Sequence, residues 1–174
     1  MKKNVFKFFL ISSFIFFVIF LFWIILFKYI SPLELFSRDR FIYRRVSMIP
    51  FSDFAKGYYS KLDIWGNILL FIPVGIYLSV FKKKLKVYQK IIVLPFISLF
   101  FEITQYIFLI GATDATDIVT NTLGGTLGIL FYHFLNKIFK DNNTAEYILS
   151  TLSFVVMLLV LHILVLLFNN GYIF

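Results

Sequence analysis

The chain has 174 residues, enough for one domain, yet 60% of them are hydrophobic and the mean hydropathy is +0.90, against roughly 45–50% apolar residues in an ordinary soluble protein. A soluble fold is excluded, and the net charge of +8 sits in short blocks flanking apolar runs, with no separate basic helix or aromatic-basic patch, so membrane lipids and not nucleic acid are the expected partners. The absence of cysteine excludes disulfides, thiolate metal sites and cysteine nucleophiles.

Uncharged stretches near 20 residues predict an all-α fold, a polytopic transmembrane helical bundle forming a single integral membrane domain over 1–174. The five predicted spans are Phe8–Phe27, Ile64–Phe81, Ile91–Ile110, Ile118–Leu135 and Ile148–Phe168. The first follows Lys2, Lys3 and Lys7. Its apolar run is too long for a signal h-region and no small-x-small cleavage site follows, which predicts an uncleaved anchor. Lys and Arg number three before the first span, seven in 28–63, five in 82–90, none in 111–117 and two in 136–147. The dense 82–90 loop is therefore expected in the cytoplasm, which makes this a multi-pass protein of the cell membrane with its N terminus inside and its C terminus outside.

All four arginines, Arg38, Arg40, Arg44 and Arg45, lie within eight residues of the first loop. The planar guanidinium fork suits bidentate contact with carboxylate or phosphate, so this clustering points to anion contact, with Arg44 and Arg45 as candidate ligand-binding residues. The alternative is an amphipathic interfacial segment over Phe36–Phe54 whose arginines meet headgroups.

The second span opens with Asn67 one turn inside, and Pro73 is expected to kink it, freeing the carbonyl near Leu69. The third carries Glu102, with Ser98, Gln105 and Tyr106 at i−4, i+3 and i+4 on one face. An ionisable group at membrane depth is a functional candidate, the alternative being a residue that glues helices together. In the fourth, Asp117, Asn121, Gly124 and Gly128 share a face, and Gly124-x-x-x-Gly128 admits a neighbouring backbone. Asp114 reads as an N-cap; Asp117 reads equally as a helix-start carboxylate and as a site residue. With a rise of ~1.5 Å per residue, Asn67 and Asn121 lie ~5 Å inside their spans and Glu102 ~12 Å inside its own, all from the same membrane side. They gather with the arginine segment and Asp114 in one leaflet, the outer one under the orientation above. No such cluster is expected on the other side, and His162 in the fifth span reads as a packing residue.

Four motifs in order resemble the VanZ-like family: Ile49-Pro50-Phe51 after a basic residue, Asn67-Ile-Leu-Leu-Phe-Ile-Pro73-Val-Gly75, Glu102-x-x-Gln105, and Asp117-Ile-Val-Thr-Asn121-Thr-Leu-Gly124. The resemblance runs over about 44–128. It implies a small multispan cell-envelope protein associated with resistance to glycopeptide antibiotics, teicoplanin in particular, in a family without an established catalytic mechanism. The family pattern usually has an arginine six residues before the aspartate matching Asp117; here that position is Gly111.

Three functions fit these residues. The first is a binding or resistance protein whose outer-leaflet polar pocket (Arg44, Arg45, Asn67, Glu102, Gln105, Asp117, Asn121) engages a lipid-linked cell-wall precursor or a lipoglycopeptide, without cofactor or metal. The second is an intramembrane enzyme acting on a lipid-phosphate or acyl group, with Glu102 as general base and Asp117 as its partner. No His-Asp, Ser-x-x-Lys or metal-ligand spacing supports it, and three carboxylates (Glu102, Asp114, Asp117) are a weak argument for a hard cation. The third is a non-catalytic assembly subunit whose polar residues lock the bundle. The first is the expectation carried forward.

Overall fold

Each uncharged run is matched by a helix longer than the run itself, and at α3, α4 and α5 capping side chains start the helix ahead of the apolar stretch. The computed structural model describes residues 2–27, 43–57, 60–139 and 142–169. In chain order the elements are α1 (Lys2–Leu26), β1 (Tyr43–Ser47), α2 (Ser52–Ala55), α3 (Lys61–Phe81), α4 (Val87–Phe108), β2 (Ile110–Asp114), α5 (Ala115–Phe139) and α6 (Asn142–Asn169). Ser60 and Asp63 form a capping box at α3, the Ser60 hydroxyl accepting from Asp63 N at 3.2 Å and Asp63 accepting from Ser60 N at 3.0 Å. Gln89 takes the Lys86 N–H at 2.8 Å at the start of α4. All helices but α2 are long and apolar enough to cross a membrane, so the chain is a multi-pass membrane protein. Both α3 and α4 continue through their internal prolines, Pro73 and Pro95.

The chain divides into two compact units, Met1–Trp23 with Asn136–Phe174, and Ile24–Leu135. In the first, α1 and α6 meet through rings and a hydroxyl pair. Phe6 stacks on Tyr147 and Phe9 on Phe154, each with centroids 4.3 Å apart, and Ser13 Oγ lies 2.9 Å from Ser153 Oγ. Between helices in lipid there is little hydrophobic driving force, so such packing and hydrogen bonding supply the attraction. A cleft of about 350 Å³ between the same helices is lined by Phe16, Phe20, Trp23, Leu161 and Phe168.

In the second unit α3, α4 and α5 close on a glycine seam. A Cβ on Gly124 would overlap the Ile68 carbonyl, one on Gly128 the Ile72 carbonyl, and one on Gly75 the Gly125 carbonyl. The Gly124–Ile68 and Gly128–Ile72 approaches each step four residues in the same direction, so α3 and α5 run parallel with their backbones in contact, as the Gly124-x-x-x-Gly128 spacing suggests. A Cβ on Gly125 would meet the Leu94 side chain, 2.5 Å from Cδ2, which brings α4 onto the next face of α5.

The ladder between β1 and β2 adds an element that hydropathy does not reveal. The strands pair in parallel, with Tyr43 opposite Ile110 and Ser47 opposite Asp114. It lets two connecting segments beside the membrane satisfy their backbone groups on each other. Leu109 ends α4 in the left-handed region, φ 56°, with its N–H on the Gln105 carbonyl, and turns the chain into β2. The described part of the Phe36–Phe54 stretch is a strand, a turn and the four-residue α2.

Candidate functional site

Below the ladder, the second unit carries a connected set of buried polar groups. Glu102 Oε2 accepts the Asp114 N–H at 2.9 Å, and the Glu102 carbonyl accepts from Thr113 Oγ1 at 3.4 Å. Asp114 is the N-cap of α5, its Oδ1 accepting from Thr116 N at 2.8 Å and Thr116 Oγ1 at 2.7 Å. Thr116 Oγ1 in turn accepts the Phe51 N–H at 2.9 Å.

That last bond explains the Ile49-Pro50-Phe51 motif. Ser52 N donates to the Ile49 carbonyl at 3.2 Å, closing a β-turn with Pro50 in its second position, where φ near −65° is wanted. Phe51 takes the third position at φ 61°, a left-handed conformation that costs a residue with a Cβ roughly 1–2 kcal/mol. Holding its N–H on Thr116 offsets part of that strain.

One turn deeper, Asn121 Nδ2 donates to Ser98 Oγ at 2.8 Å, and Ser98 Oγ reaches the Asp117 carbonyl at 3.5 Å. Gln105 Nε2 donates to the Ile25 carbonyl at 2.9 Å. Gln105 Oε1 and Asn121 Oδ1 are buried with no hydrogen-bond partner. The hydroxyls of Thr113, Thr116 and Ser98 are already engaged as donors, so these two unpartnered atoms leave capacity for a donor: a hydroxyl, an amide N–H, an ammonium or water.

The expected site residues separate into those brought together and those that are not. Ser98, Glu102, Gln105 and Asn121 are buried within the second unit, whereas Tyr106, expected on the same face, is 41% exposed. It lies beyond the arc that α5 and β2 cover. Asp117 and Asn67 are half-buried; Asn67 precedes Ile68, the residue against which Gly124 packs. Arg44 and Arg45 enter through the β1 backbone, in register with Gly111 and Ala112. Their side chains, like Arg38 and Arg40 as a whole, lie outside the described residues. Thr116 escaped the sequence reading, although Asp-x-Thr at a helix start is a recognisable side-chain-to-backbone motif. Among the described residues no three His, Asp or Glu side chains are arranged to hold a metal ion.

A further correction concerns the opposite end of the same unit. Lys90, read as a loop residue, is the fourth residue of α4 and only 1% exposed, and Ser79 on α3 is fully buried. No polar cluster was expected on that side, yet Lys90 and Ser79 are buried polar residues there.

The sequence profile of VanZ/LLP1 matches residues 14–136. The chain belongs to the VanZ/LLP1 family. It is 38% identical over 117 residues to Protein VanZ of Enterococcus faecium, an alignment covering 67% of this chain and 69% of that protein. No solved structure matches. The matched region begins within α1 and ends within α5, so family membership takes in the glycine seam, the β-ladder and the Glu102 network together.

Proposed function

We propose that this VanZ-like protein acts in the bacterial cell envelope and contributes to resistance to glycopeptide antibiotics of the teicoplanin type. Its polar cluster at the ladder end is the ligand-engaging site and faces the outer leaflet, with the N terminus in the cytoplasm. The observation that carries the reading is the relation to VanZ across the segment holding the whole cluster. The unpartnered Gln105 and Asn121 carbonyl oxygens suit hydroxyl and amine donors of a lipid-linked cell-wall precursor or a lipoglycopeptide. In the backbone register of the ladder Arg44 stands opposite Gly111, the position at which the family pattern has an arginine.

Susceptibility to teicoplanin, vancomycin and an unrelated detergent, in a host lacking its own copy, tests this. Wild type should protect against teicoplanin relative to empty vector. Glu102→Gln and Asp117→Asn, which remove charge and keep shape, should lose that protection at unchanged membrane abundance. Full protection by both variants would refute the site and favour the assembly reading, for which the structural bond from Asp114 to Glu102 already speaks. No protection by wild type would refute the resistance role.

A further inference from the structure

At the end of the second unit away from the ladder, the helix faces that meet along the glycine seam finish in polar residues. Ser79 stands one turn beyond Gly75 on α3. Tyr132 and His133 stand one turn beyond Gly128 and Ile129 on α5. Lys90 stands one turn from Leu94 on α4, which runs the other way. The close approaches of Gly75 to Gly125 and Ile129, and of Gly125 to Leu94, therefore bring these side chains to one level.

Nothing in that group balances the charge. Lys90 is 1% exposed, and its Nζ rests over the Tyr132 ring, 5.8 Å from the centroid, with no carboxylate or hydrogen-bond acceptor among the described residues. Ser79 Oγ and His133 Nε2 are buried without partners, and the His133 ring sits edge-on to Tyr132 with centroids 5.5 Å apart. A buried ammonium is ordinarily paired, and an aromatic face is a weak substitute for an anion. The group lies on the first turn of α4, ~5 Å below the loop that carries the exposed Lys82, Lys84 and Lys86. With the apolar run that begins at Ile91 in the hydrocarbon core, this level falls in the headgroup region.

We propose that Ser79, Lys90 and His133 form a phosphate-recognising site, filled by the phosphodiester of a membrane lipid or by free phosphate. On binding, the Lys90 ammonium leaves the Tyr132 face for the anion, and Ser79 donates its free hydroxyl to a phosphate oxygen. His133 Nε2, as the protonated tautomer, donates a second hydrogen bond. The exposed lysines of the loop raise the local anion concentration.

The test is the thermal stability of the full chain in neutral detergent, with phosphatidylglycerol, inorganic phosphate or phosphate-free dioleoylglycerol added. A hundredfold excess over the dissociation constant should raise the melting temperature by roughly 5–10 °C. A rise with phosphatidylglycerol alone assigns the lipid as the source, and a rise with inorganic phosphate as well assigns the free ion. Dioleoylglycerol should give none. Lys90→Gln should abolish the rise and Ser79→Ala should weaken apparent affinity at least threefold, whereas the exposed-loop variants Lys82→Gln and Lys84→Gln should keep it. If Lys90→Gln does not fold, Ser79→Ala decides. An undiminished rise in Lys90→Gln or Ser79→Ala, or an equal rise with dioleoylglycerol, would overturn the site.

Discussion

The carboxylate of Glu102 on α4 accepts the backbone N–H of Asp114 at 2.9 Å, with both residues buried. Asp114 is also the N-cap of α5, so a single intramembrane carboxylate joins the third span to the start of the fourth. The structural and functional readings of Glu102 are thus not exclusive, and charge and hydrogen-bonding capacity must be varied separately.

Glu102→Gln retains an acceptor of nearly the same shape and should unfold within about 1 kcal/mol of wild type. Glu102→Ala leaves the Asp114 N–H unsatisfied in a buried site and should cost about 1–3 kcal/mol. Reversible denaturation in mixed micelles measures both. Equal stability of the two variants would show that water reaches the Asp114 amide.

Glycines on the seam and off it should respond oppositely. Gly75→Ala puts a methyl group into the Gly125 carbonyl and should destabilise by about 1–3 kcal/mol or more, since neither backbone can yield cheaply. Gly66→Ala meets nothing within 4 Å and should be neutral or slightly stabilising. Gly124→Leu and Gly128→Leu should damage expression and melting temperature far more than Leu127→Ala, a residue that is 43% exposed.

Thr116→Val preserves volume but removes the hydroxyl that accepts from Phe51 and donates to Asp114. Hydrogen exchange at the Phe51 amide should accelerate more than tenfold while amides in the middle of α6 are unchanged. Phe51→Gly, which relieves the positive φ, should restore about 1 kcal/mol of stability in that background. No acceleration in Thr116→Val would mean that the turn is held by its own Ser52–Ile49 bond.

In the first unit, a double-mutant cycle on Ser13→Ala and Ser153→Ala should yield a coupling of about 0.6 kcal/mol, the usual size for a hydroxyl pair between membrane helices. Zero coupling would leave the α1–α6 packing to ring contacts such as Phe6–Tyr147 and Phe9–Phe154.

The existence of five helices followed from the sequence alone, because only a helix can satisfy every backbone group along some 20 apolar residues in lipid. So did the Asp114 cap and the Gly124/Gly128 face, which depend on spacings within one helix. What α4 packs against was not legible. Glu102, Gln105 and Tyr106 look equivalent on a helical wheel, yet Glu102 meets β2 and Gln105 meets the end of α1, both buried, while Tyr106 is left exposed. The β-ladder was hidden because its strands lie more than 60 residues apart and carry no hydropathy signal of their own. Lys90 looked like one more loop lysine. Its burial is decided by where the Gly75, Gly125 and Leu94 contacts place the end of the three-helix seam, a property of three segments at once that no local pattern in any one of them encodes.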